Sequence, residues 1–116
     1  MTTQLTMTRG DDETLTVAVV YAGAPVVLTG VQGIRFTAKY RTNQIDAQAV
    51  FMKTLGNGVT VTDDVGGLIS VDLVPADTVL VADNANLYFD VEVTDSIGKV
   101  RTPVKGRLLV EADVSR

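Results

Sequence analysis

One stretch constrains the fold more than any other. In Leu87–Val110, LYFDVEVTDSIGKVRTPVKGRLLV, the residues Leu87, Phe89, Val91 and Val93 alternate with Tyr88, Asp90, Glu92 and Thr94. A period of two marks a strand with one face buried and one face wet. Asp95-Ser96-Ile97-Gly98-Lys99 then turns the chain, with Gly98 free to adopt a positive φ. Leu108 and Val110 come back with the right spacing to enter the same core. The stretch predicts a long β-hairpin, and the rest of the chain reads as strands that cover it.

Upstream, Leu5 and Met7 alternate with Gln4, Thr6 and Thr8 in a first short strand that Gly10-Asp11-Asp12 breaks. Thr14 to Tyr21 reads as a second strand. Leu15, Val17, Val19 and Tyr21 form its inner face; Thr14, Thr16, Ala18 and Val20 form its outer face. Ala22-Gly23-Ala24-Pro25 reads as a turn, and Pro25 gives the short Val26-Val27-Leu28 piece an edge position, because proline cannot donate to a ladder. From Gly33 to Arg41, Ile34, Phe36, Ala38 and Tyr40 face one way and Arg35, Thr37, Lys39 and Arg41 the other. Those cations need either company or solvent. Asp90 and Glu92 supply acids, so this strand is expected beside the 87–94 strand, with cross-strand ion pairs.

Thr42 to Asp46 reads as a loop. Ala47 to Thr54 reads as a strand, with a short helix as the alternative. Gly56-Asn57-Gly58 and Asp63-Asp64-Val65-Gly66-Gly67 read as hairpin turns around Val59 and Val61, and Ile69, Val71 and Leu73 form the next inner face. Pro75 to Val81 reads as one helical turn, with Asp77 favourable near its start. About seven or eight short strands with turn signals every 8 to 12 residues predict an all-β, immunoglobulin-like sandwich of antiparallel strands, with at most one short helical turn. The 116 residues make one domain, 1–116, able to bury its core without staples.

Composition narrows the chemistry. The chain has no cysteine, so it has no disulfide, no thiolate metal site and no Cys nucleophile; it has no histidine, the usual general base and zinc ligand. A Ser-His-Asp system is therefore excluded, and the sequence predicts no enzyme and no cofactor. A formal charge of −4 disfavours broad nucleic-acid binding and polyanionic sugars. No apolar run is long enough to span a bilayer. Met1-Thr2-Thr3-Gln4 has neither the basic nor the apolar region of a signal peptide.

Asp11-Asp12-Glu13 and Asp63-Asp64 could bind Ca²⁺, but Asp is also an ordinary turn residue and neither stretch matches a dense ligand motif. Carbohydrate modules stack sugars on Trp or Tyr. Trp is absent here, and Tyr88 is the hairpin's one outward-facing aromatic. The uncharged outer face Thr14, Thr16, Ala18 and Val20 is the candidate partner-contact surface, unless the N-terminal segment covers it.

The order of elements resembles small immunoglobulin-like proteins of tailed bacteriophages and is similar to the N-terminal domain of the phage baseplate upper protein. The likeness runs through Gly10-Asp11-Asp12 with Leu15 and Val17, then Gly23 and Pro25-Val26-Val27-Leu28-Thr29-Gly30. It continues through Asp77-Thr78, then Tyr88, Asp90, Val91, Asp95, Gly98-Lys99-Val100, Thr102 and Gly106, and ends in Val110 to Arg116. The resemblance implies a virion protein made in the host cytoplasm that docks on other phage virion proteins of the head, neck, tail or baseplate. It implies several copies in a symmetric assembly, with no nucleic acid and no membrane insertion. It also implies terminal segments that reach neighbours, for which Met1–Thr8 and Glu111–Arg116 are the candidates. A stand-alone module that binds a glycan or a host surface is the alternative.

Overall fold

The computed structural model describes residues 3–41, 48–78, 81 and 85–111. Its strands are β1 (Thr3–Thr8), β2 (Glu13–Ala18), β3 (Val20–Tyr21), β4 (Ala24–Pro25), β5 (Gly33–Lys39) and β6 (Phe51–Leu55), followed by β7 (Gly58–Asp63), β8 (Leu68–Leu73), β9 (Ala85–Thr94) and β10 (Val100–Glu111). One helical turn, α1 (Pro75–Thr78), separates β8 from β9.

The expected hairpin forms and sits inside the sheet. β9 pairs antiparallel with β10 on one side and with β5 on the other. Leu87, Phe89, Val91, Val93, Val104, Leu108 and Val110 are all buried. Removing side chains of this size from water stabilises by roughly 1.5–3 kcal/mol each. The turn is fixed by Asp95: its Oδ1 accepts from the Ile97 and Lys99 N–H groups, and Gly98 takes φ 87°. A bulge between Arg101 and Val104 interrupts β10, where Pro103 cannot donate to the ladder.

The eight main strands run β1-β10-β9-β5-β6-β7-β8-β2, with β3 and β4 paired apart from them. Buried residues from β5, β9 and β10 share one core cluster with Leu15 and Val17 of β2 and Ile69, Val71 and Leu73 of β8. The sheet therefore folds over on itself into two layers, the all-β sandwich that the alternation predicts. In the larger layer Phe36 stacks between Phe51 (centroids 5.9 Å apart) and Phe89 (4.9 Å). These are diagonal neighbours across adjacent strands, close enough for aromatic contact.

Several expectations need correction. The pairings are not all antiparallel, since β1 runs parallel to β10 and β6 parallel to β7. β1 lies in the larger layer, and the turn at Gly10 carries the chain to β2 in the smaller one. Thr3–Thr8 is thus a sheet strand and not a free arm. Gly56-Asn57-Gly58 is not a hairpin turn. Thr54 and Asn57 exchange N–H···O bonds, the Gly56 N–H donates to the Val59 carbonyl, and Gly56 and Gly58 take φ 84° and 101°. This tight loop returns the chain in its original direction beside β6 for two residue pairs.

The second strand stops at Ala18 and does not run on to Tyr21. The Val19 N–H donates to the Gly67 carbonyl and the Val26 N–H to the Val19 carbonyl, so the alternation loses its phase. Val19 stays buried, but Tyr21 is 53% exposed. Tyr40, expected inside, follows the end of β5 and is 40% exposed. The strand expected from Ala47 begins at Phe51. The loop expected over Thr42–Asp46 and the terminal residues 112–116 lie outside the described residues.

The helical turn forms where expected. Asp77 Oδ2 accepts from the Val74 N–H at 2.8 Å and pairs with Lys53 Nζ at 2.9 Å, with both side chains mostly buried. Thr78 is fully buried, and its hydroxyl accepts from the Gly10 N–H at 2.9 Å. One short segment thereby ties β6 to the crossing between β1 and β2.

Candidate functional site

Two outward surfaces carry the candidate residues. The first is the outer face of β2. Strand alternation turns Leu15 and Val17 inward and so leaves Thr14, Thr16 and Ala18 outward, and all three are exposed. Val20 is exposed as well, but it belongs to β3 beyond the break at Val19. The four predicted contact residues therefore do not form one continuous strand face. Residues 14, 16 and 18 lie opposite Asp72, Ser70 and Leu68 of β8. The Thr14 hydroxyl donates to Asp72 Oδ1 at 2.9 Å, which adds one carboxylate to an otherwise neutral patch. The N-terminal strand does not cover this face, because it pairs with β10. Among the described residues β2 pairs only with β8, so there its other side is an open edge.

The acidic stretches are turn formers. Asp63 Oδ1 accepts from the Gly66 N–H, Asp64 Oδ1 from the Val65 N–H, and Asp64 Oδ2 from the Thr29 hydroxyl. The Asp11 N–H donates to the Thr8 carbonyl in the crossing from β1 to β2. Among the described residues, no group of three acidic side chains comes together to hold a metal.

The second surface is the outer face of β5, β9 and β10. The ion pairing expected between β5 and β9 is present: Arg35 lies opposite Glu92, and its guanidinium meets Glu92 Oε2 at 3.1 Å. Two further rows cross the same face. Thr37, Asp90 and Lys105 form one, and Lys39, Tyr88 and Arg107 form the other. These six residues surround a concavity of about 320 Å³. Arg107 lies over the Tyr88 ring, 5.6 Å from its centroid, a cation–π arrangement. Thr37 is only 4% exposed, and its hydroxyl has no hydrogen-bond partner among the described residues.

Tyr88 faces outward as the alternation predicts, but its cationic surroundings were missed by the sequence reading. The signal was available: Lys105 and Arg107 alternate with Val104, Gly106 and Leu108 on β10. What the sequence did not supply was the register that sets them beside Tyr88 and Lys39.

The sequence matches no family model and no curated protein.

Proposed function

We propose that the chain is a structural or accessory component of a tailed-bacteriophage virion that acts by docking on neighbouring proteins, without catalysis and without a cofactor. The observation that carries this reading is the exposed, nearly neutral outer face of β2 at an open sheet edge, with Thr14, Thr16 and Ala18 outward. Proteins commonly guard such edges with lysine, proline or a bulge. Glu13–Ala18, ETLTVA, contains no lysine or proline, and its pairing with β8 runs without a register shift. Such an edge, charged only at Glu13, suits addition of a partner's strand, in which main-chain hydrogen bonds supply affinity and alternate side chains supply specificity. The resemblance to small phage immunoglobulin-like proteins supplies the biological setting.

The test is quantitative mass spectrometry of purified particles of the virus that encodes the chain. A fixed copy number matching a symmetric ring or shell is expected. Absence from the particles, with abundant protein in the lysate, would overturn the reading. A rival reading, a module that binds a glycan or a host surface, has the concavity over Tyr88 in its favour. It predicts a hit on a glycan array, which the docking reading does not.

A further inference from the structure

The concavity is notable for its charge. Among the described residues three cations, Lys39, Lys105 and Arg107, surround it against a single acid, Asp90, in a chain whose formal charge is −4. Its positive character thus runs against that of the whole chain. Among the described residues, Lys105 and Arg107 form no ion pair, and both are exposed. Lys105 stands opposite Asp90 without pairing with it, whereas Arg35 on the same face is ion-paired with the acid opposite it, Glu92. Two exposed cations outside any ion pair on one strand face attract acids from outside the chain.

We propose that this concavity is a docking site for an extended, carboxylate-rich segment of a partner protein. Three features favour that ligand. Lys105 and Arg107 are two residues apart on one strand, so they stand roughly 6.5–7 Å apart along it. That is also the repeat of side chains along one side of an extended peptide, so acids at alternate positions meet both cations at once. Second, the Tyr88 ring holds the Arg107 guanidinium in place, which lowers the entropy cost of presenting its planar fork to a carboxylate. Third, the same stacking covers one face of the Tyr88 ring, which leaves less of the ring for a sugar to stack on.

The proposal deepens the docking reading above by naming a second contact and the chemistry of its partner. Its test is separate from that reading. The isotope-labelled full chain is titrated with hexaglutamate and, in parallel, with hexaglutamine and an oligoglucuronate, while amide shifts are followed by NMR. Shifts centred on Tyr88, Lys105 and Arg107 are expected with hexaglutamate and none with hexaglutamine. The binding should disappear in about 0.5 M salt, where charges more than a few ångströms apart are screened. The Lys105→Ala/Arg107→Ala variant should bind about tenfold more weakly, as loss of two exposed charge contacts implies. Val65→Ser, in the exposed turn between β7 and β8, should leave hexaglutamate binding unchanged.

Any of three results would overturn the proposal. The first is silence up to about 10 mM hexaglutamate, a concentration that still detects affinities of a few kcal/mol. The others are equal binding by the double variant, or tighter binding of oligoglucuronate than of hexaglutamate. If the double variant loses its fold, the wild-type shift map and its salt dependence decide the matter. A chain absent from particles that still binds hexaglutamate at Lys105 and Arg107 would sink the virion reading and leave this one standing. A chain present in particles but silent to the peptide would do the reverse.

Discussion

The ladder of β5, β9 and β10 and the seam where Val19, Val26 and Gly67 meet lie in the same core but are specified differently. The ladder rests on repetition. Inward residues at every second position bury Ile34, Phe36, Val91 and Leu108 together, and many side chains share the task. The seam rests on a few atoms. A Cβ added to Gly67 would stand 2.8 Å from both the Val19 and the Val26 carbonyl oxygens, and Gly67 already has φ +69°. Side-chain pattern therefore dictates the ladder, whereas close approach of backbone dictates the seam.

If that contrast is right, substitutions in the two regions should differ in kind. Phe36→Ala removes the middle ring of the three-ring stack and should destabilise by about 3–5 kcal/mol, the range for aromatic truncation in a core. Denaturant titration would show this as a lower midpoint, and a loss under about 1 kcal/mol would mean that the ladder is loosely packed. Gly67→Ala adds a single methyl and should still cost about 2–4 kcal/mol through strain and crowded carbonyls. A neutral result in the same titration would show that the seam has room to shift, and the contrast would fail.

Smaller effects sharpen the picture. Asp77→Ala deletes the acceptor for the Val74 N–H and the partner of Lys53, and should cost about 1–2 kcal/mol. Lys53→Met in that background should recover part of the loss by removing the cation left mostly buried. Ala22 is a non-glycine residue with positive φ, 54°, in the two-residue turn between β3 and β4. Ala22→Gly should therefore raise thermal stability by about 0.5–1 kcal/mol, since the turn asks for positive φ at both central positions. The Arg35–Glu92 pair is partly exposed, and a double-mutant cycle should give a coupling of only a few tenths of a kcal/mol that falls with added salt.

The same distinction explains what could be read from the sequence. Strand β9, its turn, its neighbour β5 and the Arg35–Glu92 pair were legible because alternation fixes a face and opposite charges fix a neighbour. The inner face of β8 was legible for the first reason alone. Tyr21 and Tyr40 misled, because alternation was extended past the points where Val19 and Lys39 leave the ladders. The parallel pairing of β6 with β7 was hidden, because Gly-Asn-Gly serves a hairpin and a tight parallel return equally well in composition. On the candidate sites, the exposure of Thr14, Thr16 and Ala18 followed from the inward turn of Leu15 and Val17. The Lys105–Arg107 concavity depended on register across three strands, which no single stretch encodes.

The parallel seat of β1 against β10 also bears on how the molecule is made. Thr3 finds its partner in Gly106, roughly a hundred residues further along the chain. On the ribosome, where the N-terminal end emerges first, β1 appears early and pairs last. Until β10 is synthesised, Leu5 and Met7 have no seat, and β10 then gains a neighbour on each side. Contacts between such distant segments slow folding, because the loop they close is long. Throughout that wait the early strand is an apolar edge in search of a partner, so crowding by nascent copies of the same chain is the hazard that this topology carries.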